Sequence, residues 1–396
     1  MTWSLSKYSS GAFQSLGQAP RLALLLLLVS TLTLSAQDLR DWARRLEARG
    51  VSVSAGMWDA TTGKVLDRYQ EGLPLVPAST TKVVSTYALL KSLKPDYTID
   101  TEVWGDLRDG VVQGDLTFKG DGDPLLTSER IWMLVQALKK QGVQRVLGSV
   151  RLDQSAFDDQ RQPLGWENTT GDTLPTVWPL SVNFNRDESG RQAPDPERNA
   201  RDTITKILQD SGIAVEGKPG GKDLPRKLTT WTSPPLRAMV MDINKWSNNF
   251  MIEMLVRKFG AGSWPRGIKR IQAFYQSGFD LGPEAIAITD GSGLSKDNRL
   301  SARTLALILR GAYHDFEVGP EFVASLKIIG GEPWTLSVKD LNLTRRVRVK
   351  TGHLDRVNTL CGYLQTLDGQ VCVFAILLNG PCHDEDVWDQ VSRWAN

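Results

Sequence analysis

Pro77-Ala78-Ser79-Thr80-Thr81-Lys82, running on into Val83-Val84-Ser85-Thr86-Tyr87-Ala88-Leu89-Leu90, is the stretch from which this chain is read. Val83, Val84, Tyr87, Ala88 and Leu90 recur at helical spacing and predict a helix to about Leu93, ended by Pro95. Pro74 and Pro77 hold an extended approach to Ser79. Positions three apart share a helix face, so the Lys82 amine is placed to reach the Ser79 hydroxyl. Serine is a poor nucleophile at its own pKa and needs a neighbouring base. Lysine serves as that base where desolvation and nearby positive charge lower its pKa. The helix N-terminus adds a backbone N–H for a developing oxyanion. Taken alone the pattern is common, and usually lies on a solvated helix face.

Upstream, Asp38 caps a helix to about Ala48 with Gly50 as its stop, and Val51–Trp58 and Lys64–Tyr69 read as strands joined at Thr62-Gly63. Earlier still, Lys7 and Arg21 precede an apolar run from Leu22 to Leu34 that ends in Leu34-Ser35-Ala36. A basic flank, about a dozen apolar residues and a small-residue site read as a secretory signal over 1–36, cleaved after about Ala36. The run is short for a membrane span of roughly 20 residues, and no second segment is long or apolar enough to cross a membrane. The expectation is an exported protein of the periplasm or extracytoplasmic envelope.

Downstream the texture changes. Between 97 and 235 lie short alternating runs, Val111–Phe118 and Val146–Leu152, with helices expected from about Thr127 to Gln141 and Arg198 to Ser211. A Gly-, Pro- and Asp-rich stretch, Arg186 to Arg198, reads as a loop or trimmed connection. From Pro235 the pattern is helical through Phe259, and again from about Ser263 to Gly278. Strands follow at Arg345–Lys350, Leu360–Thr366 and Gln370–Leu378, then a final helix, Val387–Trp394. The expected fold is α+β, an antiparallel sheet flanked by helices in an α/β sandwich. Its residues are 37–96 and 236–396, interrupted by an inserted β-rich α+β domain at 97–235.

Two further motifs follow the first in order. Ser247-Asn248-Asn249 opens a helical segment; the Ser247 hydroxyl can pass a proton to a leaving amine and the Asn249 amide can hold a carbonyl. A plain helix cap is the bland alternative. Lys350-Thr351-Gly352 ends a strand with alternating Val347 and Val349. Lys350 offers positive charge to a carboxylate, and Gly352 lets a substrate lie close along the strand edge. The alternative there is an ordinary exposed basic strand. Each motif is weak singly; the order, with each on the element it needs, is strong.

This ordered set resembles that of penicillin-binding proteins and class A β-lactamases. The chain is similar, from about residue 50 to its end, to the type-4 low-molecular-mass penicillin-binding proteins, D-alanyl-D-alanine carboxypeptidases and endopeptidases of peptidase family S13. The likeness runs through Gly114-Asp115-Leu116, Gly120-Asp121-Gly122-Asp123-Pro124, Gly165-Trp166, Leu180-Ser181-Val182-Asn183-Phe184-Asn185 and Gly362-Tyr363-Leu364. Asp290-Gly291-Ser292-Gly293-Leu294-Ser295 is its most family-specific stretch and weighs against a β-lactamase.

The resemblance implies a transpeptidase-like domain acting on peptidoglycan stem peptides and cross-links, with β-lactams as inhibitors and no cofactor. Ser79 forms the acyl-enzyme and Lys82 deprotonates it. Ser247 relays a proton to the departing D-alanine, Asn249 positions the acyl donor, and Lys350 with Thr351 binds the terminal carboxylate. The Ser79 and His353 backbone N–H groups, beside Gly352, form the oxyanion hole. Two departures stand out. The residue after Gly352 is commonly Thr or Ser in the family and is His353 here, which predicts weaker carboxypeptidase action relative to cleavage of cross-links. The block between the first two motifs is also short, so the further small domain of larger relatives is expected to be absent or reduced to Arg186–Arg198.

Lys and Arg (47) nearly balance Asp and Glu (45), which leaves no global field to recruit nucleic acid. The histidines His314, His353 and His383 are scattered, without metal-ligand spacing or a Ser-His-Asp triad. Asp121-Gly122-Asp123 has Trp132 where a calcium loop needs a bidentate Glu, so it reads as a turn. Cys361, Cys372 and Cys382 are an odd number. A turn at Asp368-Gly369 would set Cys372 opposite Gln365, so Cys361 and Cys372 are not expected to bridge. A β-lactamase or esterase on the same fold, or a wall-binding protein without turnover, are the alternatives. Intact motif serines and lysines argue against the last.

Overall fold

The computed structural model describes residues 38–166, 176–218, 225–279, 281–332, 338 and 340–396. The expected signal segment lies outside the described residues. Helix α1 (38–47) stops at Gly50, whose φ of +81° is the left-handed region open to glycine. Strand β1 (Ser52–Asp59) then turns into β2 (Val65–Tyr69), and a short 3-10 turn, Ala78–Thr80, leads into α2 (Thr81–Leu93).

The next block builds two sheets of its own. Its elements are β3 (Asp100–Gly105), β4 (Leu107–Arg108), β5 (Val111–Val112), β6 (Leu116–Lys119), α3 (Ser128–Lys140), β7 (Arg145–Val146), β8 (Val150–Asp153), α4 (Pro196–Asp210), β9 (Ala214–Val215) and β10 (Arg226–Thr232). The sheets run β10-β3-β6-β8 and β4-β5-β7-β9. Val111–Phe118 and Val146–Leu152 are therefore not single strands: each divides between the two sheets. Gly114 and Gly148 sit at the crossings, where the Gly148 N–H donates to the Gly114 carbonyl at 2.9 Å. A Cβ on Gly148 would lie 2.6 Å from the Gly114 carbonyl carbon. Residue alternation alone does not show such a crossing.

Helices α5 (Leu236–Trp246), α6 (Asn249–Phe259), α7 (Trp264–Gly278), α8 (Ala302–His314) and α9 (Gly319–Ser325) follow. The chain closes with β11 (Lys327–Ile328), β12 (Val347–Leu354), β13 (Val357–Gln365), β14 (Val371–Asn379) and α10 (Asp384–Ala395). The main sheet is antiparallel in the order β11-β12-β13-β14-β1-β2, so strands from both ends of the chain complete it. In β13 every residue but Gln365 is buried, which requires cover on both faces. Phe374, Ile376, Val347 and Val349 meet α1 and α10 through Leu39, Trp42, Val391 and Trp394. Cys361, Tyr363, Val373 and Ala375 meet the helical layer that holds α2. Each such apolar side chain contributes about 1.5–3 kcal/mol by leaving water. Residues Thr81–Leu90 of α2 are all buried, so its polar side chains must find partners inside the protein.

Three sequence expectations change here. The helical pattern from Pro235 to Phe259 breaks at Ser247, which takes a left-handed φ of 57° as the C-cap of α5. The Asn248 side chain then caps α6 by accepting the Met251 N–H at 3.0 Å. Lys350-Thr351-Gly352 does not end its strand, because β12 stays paired with β13 as far as Leu354. The β13–β14 turn has three residues, Leu367-Asp368-Gly369, with Gly369 at φ +89°, so the register moves by one and Cys372 faces Leu364. Cys361, Cys372 and Cys382 are free thiols.

Candidate active site

Ser79 lies in the 3-10 turn that leads into α2, directly after a strained joint: Ala78 has φ +47°, rare for a side-chain-bearing residue. Three hydroxyls hold this backbone. Thr80 donates to the Pro77 carbonyl at 2.6 Å, Thr81 to the Ala78 carbonyl at 2.8 Å, and Thr359 on β13 to the Pro77 carbonyl at 2.7 Å. Both threonines between Ser79 and Lys82 thus hold the backbone on which Ser79 sits. Gly293 backs onto the same joint, where a Cβ would lie 1.8 Å from the Ala78 carbonyl oxygen.

The Lys82 ammonium nitrogen is fully buried and has three neighbours. Ser79 Oγ lies at 3.0 Å, Asn249 Oδ1 at 2.7 Å and the Ser292 carbonyl at 2.7 Å. Burial lowers the Lys82 pKa to about 7, against the opposing charges of Asp290 and Glu253. A neutral Lys82 amine has two N–H groups and one lone pair. Asn249 Oδ1 and the Ser292 carbonyl can only accept, so they take the two N–H groups and leave the lone pair to the Ser79 O–H.

A second buried lysine faces the first. Lys350 donates to Ser247 Oγ at 3.0 Å and to the Thr351 carbonyl at 2.8 Å. Burial, with the charges of Lys82 and Lys327, pushes its ammonium well below the usual lysine range. It is therefore no exposed basic residue. Ser79, Ser247 and Asn249 stay partly exposed above the buried lysines, which makes an accessible hydroxyl pair over a desolvated base pair. Gly352 presses against the nucleophile: a Cβ there would lie 2.8 Å from the Ser79 nitrogen and 2.3 Å from Thr359 Oγ1. Cys361, opposite Lys350 in the ladder, has its thiol pushed up to about 12 by burial and is no nucleophile.

Ser79, Lys82, Ser247, Asn249, Lys350 and Gly352 come together, with Thr351 meeting Lys350 through its carbonyl, and the His353 side chain turns elsewhere. Its Nε2 lies 3.0 Å from Asp384 Oδ1 at the start of α10, and Asn358 Nδ2 donates to the same oxygen at 2.8 Å. The ring is thereby tethered to the helix behind the strand.

Sequence reasoning found Asp290–Ser295 without giving it a task. Asp290 accepts N–H groups from Gly293 and Ser295 (both 2.8 Å), Asn298 Nδ2 (2.7 Å) and Trp166 Nε1 (2.7 Å). The segment so folded turns the Ser292 carbonyl to Lys82. Gly165 packs against it, with a Cβ there 2.6 Å from Ser295 Oγ. Glu253, fully buried, was missed altogether. Its one signal was its place four residues after Asn249, on the same helix face.

The fold is shared with known proteins. Penicillin-binding protein 4 of Haemophilus influenzae superposes with a TM-score of 0.76 over 89% of this chain and 97% of its own, at 19% identity. A predatory endopeptidase of Bdellovibrio bacteriovorus superposes with a TM-score of 0.61 over 87% and 92%, at 18% identity. The fold is thus that of the penicillin-binding proteins, α+β. In sequence, a carboxypeptidase of Mycobacterium tuberculosis is 27% identical over 358 residues, 81% of this chain and 75% of the relative. The D-Ala-D-Ala carboxypeptidase 3 (S13) family matches residues 36–177 and 179–396, which takes in every residue of the site, and the chain belongs to that family of serine peptidases.

Proposed function

We propose that this protein hydrolyses D-alanyl peptide bonds of peptidoglycan through an acyl-enzyme on Ser79, as carboxypeptidase and as endopeptidase, and that β-lactams acylate the same residue. The observation that carries this is the triple coordination of Lys82, which leaves its lone pair for the Ser79 hydroxyl. The Ser79 proton passes to Lys82 Nζ as Oγ bonds to the carbonyl carbon of the penultimate D-alanine. The carbonyl electron pair moves onto oxygen, facing the backbone N–H groups of Ser79 and His353. The intermediate collapses with cleavage of the C–N bond. The leaving amine takes a proton from Ser247, and the proton that Lys82 took from Ser79 replaces it by way of Lys350, 3.0 Å from Ser247, so that Lys82 is neutral again. Water then attacks the ester, giving up a proton to the neutral Lys82, and Lys82 passes that proton to Ser79 Oγ as the ester C–O bond breaks. The Asn249 amide nitrogen is available to the acyl-donor carbonyl while its oxygen holds Lys82.

Lys350 and Thr351 would receive the terminal carboxylate. An arriving carboxylate favours the charged form of Lys350 and so opposes the downward pull of burial. With the His353 ring held by Asp384, the hydroxyl that a Thr or Ser would offer that carboxylate is missing. Release of terminal D-alanine, whose small leaving group has little else to bind by, loses most. His353→Thr is expected to raise release of terminal D-alanine relative to cleavage of cross-linked dimers, about tenfold for one charge-assisted hydrogen bond. An unchanged product ratio removes the side chain from specificity.

Residues 97–235 stand in this reading as an inserted domain. The stretch between Asn185 and α4 is a short loop closed by an Arg186–Gln192 bridge, in keeping with a trimmed connection. The apolar run Leu22–Leu34 and its small-residue end support export. A fluorescent penicillin with peptide mapping tests the whole. A stable adduct on Ser79 is expected; rapid turnover points to a β-lactamase, and absence of labelling sinks both.

A further inference from the structure

Two buried carboxylates lie beneath Lys82, and only one has a role so far. Asp290 folds its own segment. Glu253 reaches that segment from a different element, α6, and all its polar contacts are donors to it. Oε1 accepts the Ser292 N–H at 2.7 Å and the Gly291 N–H at 3.1 Å, and Oε2 accepts Trp264 Nε1 at 2.9 Å. The residue is fully buried. Burial and the charge of Asp290 push its pKa up to about 8. The hydrogen bonds from Ser292, side chain and backbone, and from Trp264 pull the other way and favour the carboxylate.

The peptide whose N–H Glu253 grips most closely belongs to Ser292, and the carbonyl of Ser292 is the one that receives Lys82. One turn earlier on the same face of α6, Asn249 supplies the other acceptor. Helix α6 therefore controls both hydrogen-bond acceptors of the base, Asn249 directly and Ser292 through Glu253. Ser85 on α2 secures the neighbouring carbonyl, donating to Gly291 at 2.9 Å.

We propose that Glu253 is a positioning residue for the reaction: by holding the Gly291 and Ser292 amides it fixes the Ser292 carbonyl, and so aims the Lys82 lone pair at Ser79. This rests on Lys82 being the base of the acyl-enzyme chemistry. The charged groups acting on Lys82 are Asp290 and Glu253, and Lys350 faces it from β12. Arg257, one turn beyond Glu253, is engaged by Asp158 and by the Val177 and Gly262 carbonyls.

The test is the rate constant of acylation by a fluorescent penicillin, separated from non-covalent affinity and followed from pH 5 to 10. It compares wild type with Glu253→Gln and Glu253→Asp. In Glu253→Gln an NH2 faces an N–H donor in either amide orientation, Trp264 Nε1 in one and the Gly291 and Ser292 amides in the other, so the grip on the Ser292 peptide is loosened. Acylation is expected to slow roughly 10- to 100-fold, as for a misplaced catalytic group, with non-covalent affinity retained. Its acid limb should move to lower pH, because a negative charge that favours the Lys82 ammonium is gone. Glu253→Asp keeps the charge but withdraws the carboxylate from the amides. It should slow acylation by about tenfold with the acid limb in place. Should Glu253→Gln fail to fold, Glu253→Asp carries the test on its own. A wild-type rate and pH profile in either folded variant overturns the positioning role. Normal labelling after Lys82→Ala would instead overturn the base assignment beneath it, so the two failures are told apart.

Discussion

Ser79→Ala is expected to abolish the covalent penicillin adduct and to reduce D-alanine release to background, a loss on the order of 10⁶-fold in kcat. The size follows from the chemistry: no other hydroxyl is both partly exposed and beside Lys82 among the described residues. Ser247 Oγ belongs to Lys350 and the Thr81 hydroxyl is spent on the Ala78 carbonyl. Folding should be little affected. The Ser79 side chain makes one hydrogen bond, to Lys82, worth about 1 kcal/mol, and the Ala78 joint is held by backbone acceptors that the substitution leaves intact. Intact-protein mass spectrometry after exposure to penicillin, beside a thermal melt, reads both quantities. An adduct at wild-type yield in Ser79→Ala would falsify the assignment of the nucleophile.

Lys82→Ala should slow acylation by roughly 10²- to 10⁴-fold, the usual worth of a positioned general base. In the wild type, acylation should fall as pH drops through about 7, where Lys82 takes up its proton and loses the lone pair that Ser79 needs. That limb should be missing from the residual activity of the variant. Unlike Ser79→Ala, this change also costs stability. It leaves the Ser292 carbonyl and Asn249 Oδ1 without the partner they share and opens space in a packed interior. Lys82→Met, which fills most of that space, should lose activity equally while losing less stability. A Lys82→Met enzyme that kept the wild-type rate and its acid limb would show that the base lies elsewhere.

Much of this site was legible in the chain. Local periodicity placed Ser79 and Lys82 on one helix face, and the structure has them 3.0 Å apart. Val347 and Val349 marked the strand that carries Lys350, and turn residues separated its neighbours. Where the reading slipped, the reason was again physical. Alternation through Val111–Phe118 and Val146–Leu152 is the same whether a strand continues or crosses between sheets, and only the contact of Gly114 with Gly148 decides. Ser247 looked like the first residue of a helix, yet its left-handed backbone closes the preceding helix, and Asn248 opens the next.

By itself, then, the sequence singled out the groups proposed to react, because Ser79, Lys82 and their spacing of three positions are set by residues that are chain neighbours. The tertiary structure alone decided their surroundings. Lys82 owes its free lone pair to acceptors 167 and 210 residues away, and Lys350 is buried only when β12 is enclosed in its sheet. His353 turns to Asp384, and Glu253 governs a peptide on another element. Desolvation and hydrogen-bond direction depend on what is packed around a group, and the residues that pack around these come from every part of the chain.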